Sequence, residues 1–200
     1  MVSARSDNET EASRRVKTEF LVQMQGVGNS NESKLLVLGA TNLPWGLDSA
    51  MRRRFEKRIY IPLPDEVARL HMLKNRMKGE DTTLTDDDYV KIANKCDFFS
   101  GSDMSSLIKN ACYEPLRRFQ NADYFKPARK ENGQQGWMPA DANEPGAQKM
   151  SRDSIRPEDV VKNKIDVVAF NKAVFNTKPT VGAEDLEKYR EWTREFGMDG

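Results

Sequence analysis

The chain has 200 residues, of which 38% are apolar and 32% charged, with 32 Lys and Arg against 31 Asp and Glu. A net charge of +1 on a heavily charged surface fits a globular chain and argues against bulk electrostatic binding to nucleic acid or to an anionic membrane. Two cysteines and one histidine make neither a disulfide framework nor a metal site, so no metal ligands are assigned.

There is no run of about 18 apolar residues that would span a membrane. The opening MVSARSDNETEASRR lacks the apolar core of a secretory signal and is not acid-poor like a transit peptide, so the cytosol is the expected location. A helix is expected from Thr10, with Val16, Phe20, Val22, Met24 and Val27 on its apolar side and Gly26 and Gly28 ending it. Leu35 to Leu38 is a short apolar run before a glycine, the pattern of a strand buried on both faces. Asp48 can cap a short helix from Ser49 to Phe55, and Lys57 to Ile61 alternates enough for a second strand closed by Pro62 and Pro64.

Beyond Pro64 the periodicity is helical. Glu66 to Met77 carries Val67, Leu70, Leu73 and Met77 on one side. Thr85 opens a helix running from Asp87 to Cys96, and Ser100-Gly101-Ser102-Asp103 is another helix start. Pro115, inside the apolar pattern from Met104 to Phe119, should kink that helix. From Lys126 to Pro157 the pattern is lost among glycines, prolines and polar residues. That length is too great for a plain connection and predicts a protruding, partly ordered insertion, in which Trp137 is read as locally packed, or else as anchoring a small β element or binding a partner. Val167 to Asn176 and Ala183 to Phe196 close the chain as helices, the last with Leu186, Tyr189, Trp192, Thr193 and Phe196 as its stripe.

The chemistry concentrates in LLVLGATNLPWGLDSAMRRRFEKRIYIPLPD, Leu35 to Asp65. It places a polar amide, Asn42, at the carboxyl end of a strand, the edge where open α/β sheets bind ligands. Arg52, Arg53 and Arg54 follow on a short helix, and guanidinium groups suit phosphate recognition. Three consecutive helix positions fan across roughly 200°, so the three cannot enter one site, and Arg52 is expected in a surface ion pair. The other reading of the run is a solvated basic face. No GxxxxGK[ST] loop and no strand ending in paired acids occurs in these 200 residues, so phosphate cradling and Mg²⁺ ligation are expected to come from elsewhere. His71 stands alone and is assigned no role.

The segment GATNLPWGLDSAMRRRFEKRIYIPLPD resembles the second half of an AAA ATPase module of the meiotic clade, and the likeness continues through FFSGSDMSSLIKNACYEPLRR to KPTVGAEDLEKYREWTREFG. WMPADANEPGAQKMS resembles the insertion of the clade's ESCRT-III-disassembling branch, which katanin-type enzymes lack. The resemblance implies an α/β fold: the C-terminal part of a P-loop AAA+ nucleotide-binding domain over residues 1–64, then a helical small domain over 65–200 with an insertion at about 126–157 and a C-terminal helix at 183–196. It implies that Asn42 is the family's sensor and that Arg53 and Arg54 are arginine fingers acting on a neighbour's ATP. Gly101, Ser102 and Met72 would lie on the adenine and ribose side. Ser6 to Ala12 resembles the second pore loop.

ATP with Mg²⁺ would be bound in the complete protein, which would form a hexameric ring, act on ESCRT-III subunits and receive a ring-assembly activator through the insertion. Nucleic acid is not an expected partner, and endosomal membranes would be met transiently and only through partners. Two alternatives stand beside this reading: a katanin-like microtubule-severing ATPase, and a non-catalytic module that docks on full-length subunits.

Overall fold

The computed structural model describes residues 11–26, 36–130 and 132–197. The segment likened to a pore loop falls almost entirely outside the described residues. Two compact units are present, one formed by residues 1–62 with 183–200 and the other by residues 63–182. The last helix therefore groups with the N-terminal part of the chain, whereas the sequence assigned it to the helical domain.

In the first unit, helix α1 (Glu11–Gly26) lies beside the short helix α2 (Ser49–Arg54). The start of α2 is fixed locally, because the Asp48 carboxylate accepts the Met51 N–H at 2.8 Å. Met51 is the buried anchor of this helix. The two expected strands join no ladder among the described residues. Leu36 and Leu38 are 86% and 89% exposed, and Ile61 is 84% exposed. A strand is held by its neighbours, and no described residue pairs with these runs. The C-terminal helix, α8 (Ala183–Phe196), turns its stripe inward with Leu186 buried.

The second unit is built on α3 (Glu66–Met77), α4 (Asp86–Asn94), α5 (Gly101–Cys112), α6 (Glu114–Asn121) and α7 (Val167–Asn176). Leu73, Ile92, Met104, Leu107 and Phe170 fill its core. Each start has a local cause. Asp65 and Asp166 cap α3 and α7, and full capping boxes, Thr85 with Asp88 and Ser100 with Asp103, open α4 and α5. The kink expected at Pro115 is a break at Tyr113, since the proline can neither donate to the ladder nor clear the carbonyl four residues earlier.

The insertion, expected to be partly ordered with at most a small β element at Trp137, holds more structure than that. It is an ordered three-stranded antiparallel sheet, order β2-β1-β3, made of β1 (Tyr124–Arg129), β2 (Gln135–Pro139) and β3 (Gln148–Lys149). Phe125 is fully buried and meets Phe119 of α6 edge-on at 5.4 Å. Gly136 admits the returning chain: a Cβ there would stand 2.6 Å from the Asp159 carbonyl oxygen, next to where the Val161 N–H bonds the Trp137 carbonyl at 2.8 Å. The sheet's main pair is a local hairpin, Arg129 opposite Gln135, but strands this short and interrupted by Pro127, Gly136 and Pro139 leave no clear alternation to read.

Two ion pairs join α6 to the α7 segment among the described residues, Lys172 with Glu114 at 2.6 Å and Arg118 with Asp166. Arg118 grips both oxygens of Asp166 at 2.9 Å, while Asp166 also accepts the Ala169 N–H at 2.8 Å. The Arg118 hydrogen bonds, aided by Ala169 and only partly opposed by burial, hold the Asp166 carboxyl below the usual range. A carboxyl lowered in the folded state contributes stability above its unfolded pKa, near 3.9, and loses it as pH falls through the folded value. Asp166→Asn should therefore destabilise at pH 7 by about 1–3 kcal/mol. The gap to the parent should close as urea melts are taken below about pH 4. A gap independent of pH would show that the pair is not what Asp166 contributes.

Candidate functional site

The run after Leu36 delivers Asn42 to the surface with its side chain exposed. Its backbone is held from the far end of the chain, because the Tyr189 hydroxyl of α8 donates to the Asn42 carbonyl. Next to it, Thr41 Oγ1 accepts the Leu43 N–H at 3.0 Å, and Trp45 lies 5.1 Å from the Tyr189 ring. Tyr60 stacks on the same ring at 6.0 Å. The main chain on both sides of Asn42 is thus fixed while its amide stays available.

The arginines of α2 are sorted as helix geometry requires. Arg52 is half-buried, its guanidinium carbon 4.4 Å from the centre of the Phe196 ring, where the sequence suggested an ion pair. Its carbonyl accepts from Arg58 Nη1 at 3.2 Å. Arg53 and Arg54 are exposed. Arg52, Arg53 and Arg58 line an open cleft of about 380 Å³ with Ser49, Glu56 and Phe196. Three guanidiniums against one carboxylate make it a place for an anion. Arg54 does not line it.

The other three candidates belong to the second unit. Gly101 opens α5, and a Cβ added to it would lie 3.7 Å from the Met72 methyl, so the two residues adjoin. Ser102 is exposed, and Met72 is half-buried against the core. Asp103, next in line, is 4% exposed. Burial pushes its carboxyl up, but the backbone and hydroxyl of Ser100 and then of Thr180 outweigh that and hold it below the usual range. His71 is exposed.

Sequence reasoning missed Tyr189, Phe196 and Arg58 as contributors to the site, and it gave no place to the buried Arg69. For Arg69 a signal existed, since it lies four and eight residues before the buried Leu73 and Met77, on the core face of α3. For Tyr189 there was none, because its partner is 147 residues away.

Three family models match in chain order: the AAA ATPase family associated with various cellular activities over residues 1–63, the AAA+ lid domain over 86–128, and the Vps4 C terminal oligomerisation domain over 137–197. AAA, AAA lid and Vps4-type C-terminal matches thus follow one another along the chain, consistent with part of an AAA ATPase. Among curated proteins it is 41% identical over its whole length to mouse vacuolar protein sorting-associated protein 4B, covering 46% of that protein. It is 42% identical over its whole length to the vacuolar protein sorting-associated protein 4 of Dictyostelium discoideum, again covering 46%. The chain thus spans about half the length of the curated relatives it matches. Of solved structures, the FIGL-1 AAA domain in complex with ADP superposes with a TM-score of 0.69 at 34% identity, over 94% of this chain and 54% of that one. A katanin self-assembly structure does so with 0.62 at 33%, over 92% and 54%.

The aromatic contact at Arg52 is directly observable. Ring current from Phe196 should shift the Arg52 side-chain protons upfield in NMR spectra. Phe196→Tyr should keep that shift, and Phe196→Leu should abolish it at a cost of about 0.5–1 kcal/mol. Unchanged Arg52 resonances in Phe196→Leu would refute the contact.

Proposed function

We propose that this chain is the sensor, arginine-finger and lid portion of an ATP-hydrolysing AAA subunit that works in vacuolar protein sorting, where the complete protein disassembles ESCRT-III. The observation that carries the chemistry is the division of labour on α2. Arg52 is turned onto Phe196, while Arg53 and Arg54 stand exposed for an anion outside their own unit. The biological assignment is supported by identity to the vacuolar protein sorting relatives along the whole chain and by the Vps4-type domain at 137–197.

The residues fit a triphosphate. The Asn42 amide can donate to a phosphoryl oxygen and accept from an attacking water. Arg53 and Arg54, presented to a neighbouring subunit's ATP, would stabilise the charge spreading over the transferred phosphoryl group. Gly101, Ser102 and Met72 would form the base side, a glycine allowing close approach at a helix start. ADP in the FIGL-1 structure supports adenine nucleotide as the ligand class. Mg²⁺ on the triphosphate would neutralise charge, and none of its ligands is assigned to this chain. The oligomerisation domain supports assembly into a ring, for which we propose a hexamer. The sheet of residues 124–149 is the proposed seat of a ring-assembly activator, and the proposed setting is the cytoplasm with transient recruitment to endosomes. Likeness to FIGL-1 and katanin keeps a microtubule-severing function as the second reading, with the same nucleotide chemistry.

The test uses a subunit that carries this sequence behind a phosphate-binding loop. Arg53→Ala or Arg54→Ala should cut ATP turnover about 10³-fold or more. ATP binding by the same subunit should stay nearly unchanged, and Lys should rescue poorly because it lacks the planar fork. Mixing the variant with a subunit unable to bind ATP should restore turnover, each supplying what its neighbour lacks. Loss of ATP binding in the variant itself would refute action in trans.

A further inference from the structure

The chain passes between its two units at Pro62–Leu63 and at Gly182–Ala183. Two buried charged residues of the second unit, neither used in the chemistry above, each hold one of these connections. Arg69 is 7% exposed. Its Nη1 donates to the Pro64 carbonyl at 3.1 Å, beside the first crossing, and its Nη2 meets the Asp97 carboxylate at 2.7 Å. Its Nε donates to the Ala93 carbonyl at 3.0 Å, at the end of α4. Asp103 accepts the Thr180 hydroxyl at 2.9 Å and the Thr180 N–H at 3.3 Å, just before the second crossing. The same carboxylate closes the capping box with Ser100.

Both anchors end on one short stretch, Asp97 to Asp103, which links α4 to α5 and holds Gly101 and Ser102. Within it Phe98 has a φ of 63°, a backbone conformation that side chains rarely adopt. A buried charge cannot release its partners without being left unpaired away from water, so the stretch and the connections it grips must move together. One anchor would leave the other connection to swivel; here each connection has its own.

We infer that Arg69 and Asp103 are positioning residues that tie both inter-unit connections to the turn Asp97–Asp103, so that a base seated against Gly101 and Ser102 stiffens the two connections at once. This rests on the base-side assignment of Gly101 and Ser102 made above.

Hydrogen exchange on the complete subunit, with and without saturating ADP, separates the two. In the parent, ADP should slow exchange at residues 100–104 and at 180–183 together. Thr180→Val removes the hydroxyl that Asp103 holds. It should keep the response at 100–104, speed exchange at 180–183 about fivefold and abolish the ADP response there. Thr180→Ser, which keeps the hydroxyl, should restore that response. A response at 100–104 without one at 180–183 in the parent overturns the inference alone. So does a Thr180→Val variant that still responds at both, or one that loses protection generally across α5 and α7. If ADP leaves 100–104 of the parent untouched, the base-side assignment falls and takes this inference with it.

Discussion

A guanidinium lying on an aromatic ring decides how the arginine helix can be used. On a helix of six residues, successive side chains turn by about 100°, so fixing one arginine fixes the bearing of the next two. Arg52 is fixed on Phe196, and Arg58 holds its carbonyl. Arg53 and Arg54 are thereby presented outward without having to find that bearing themselves. The contact is worth only about 0.5–1 kcal/mol, small against folding but enough to bias a rotamer several-fold. Preorganised donors are what electrostatic catalysis requires, since the cost of orienting them is met before the reaction starts.

The same helix, α8, reaches Asn42 through Tyr189, so one element steadies the backbone of both groups proposed to face phosphate. In the second unit the steadying is done by charge. Asp166 grips Arg118, and Asp103 serves both the cap of α5 and the chain near Thr180. In each case a carboxylate held below its usual range is doing two jobs, capping a helix and tying down a distant segment. That economy explains why short helices with modest cores hold their positions.

Features with local causes were legible in the sequence. Glu66–Met77, Val167–Asn176 and Ala183–Phe196 have the bounds their apolar spacing suggested, the first two each preceded by a capping Asp. The motif around Asn42 and the arginines was legible as residue types, whereas the contact of Gly101 with Met72 was not. What sequence could not supply was long-range pairing. Within the insertion the distant partner is β3, which meets β1 across more than twenty residues, and the buried Phe125 looks like any isolated aromatic. Runs such as Leu36 to Leu38 have strand composition, yet a ladder needs a partner that periodicity does not reveal. The stacking of Arg52 on Phe196 and the grouping of α8 with the first unit likewise depend on residues more than a hundred positions away.

The central claim is that Arg53 and Arg54 meet the terminal phosphate of a neighbour's nucleotide while Asn42 meets that of its own. An ATP analogue carrying a photo-crosslinker on its γ-phosphate tests this in rings mixed from subunits of two masses, only one of which can bind nucleotide. Adducts are expected on residues 49–54 of the subunit without nucleotide and near Asn42 of the subunit that holds it. Labelling of residues 49–54 in the nucleotide-holding subunit itself, or of neither segment, would contradict the claim.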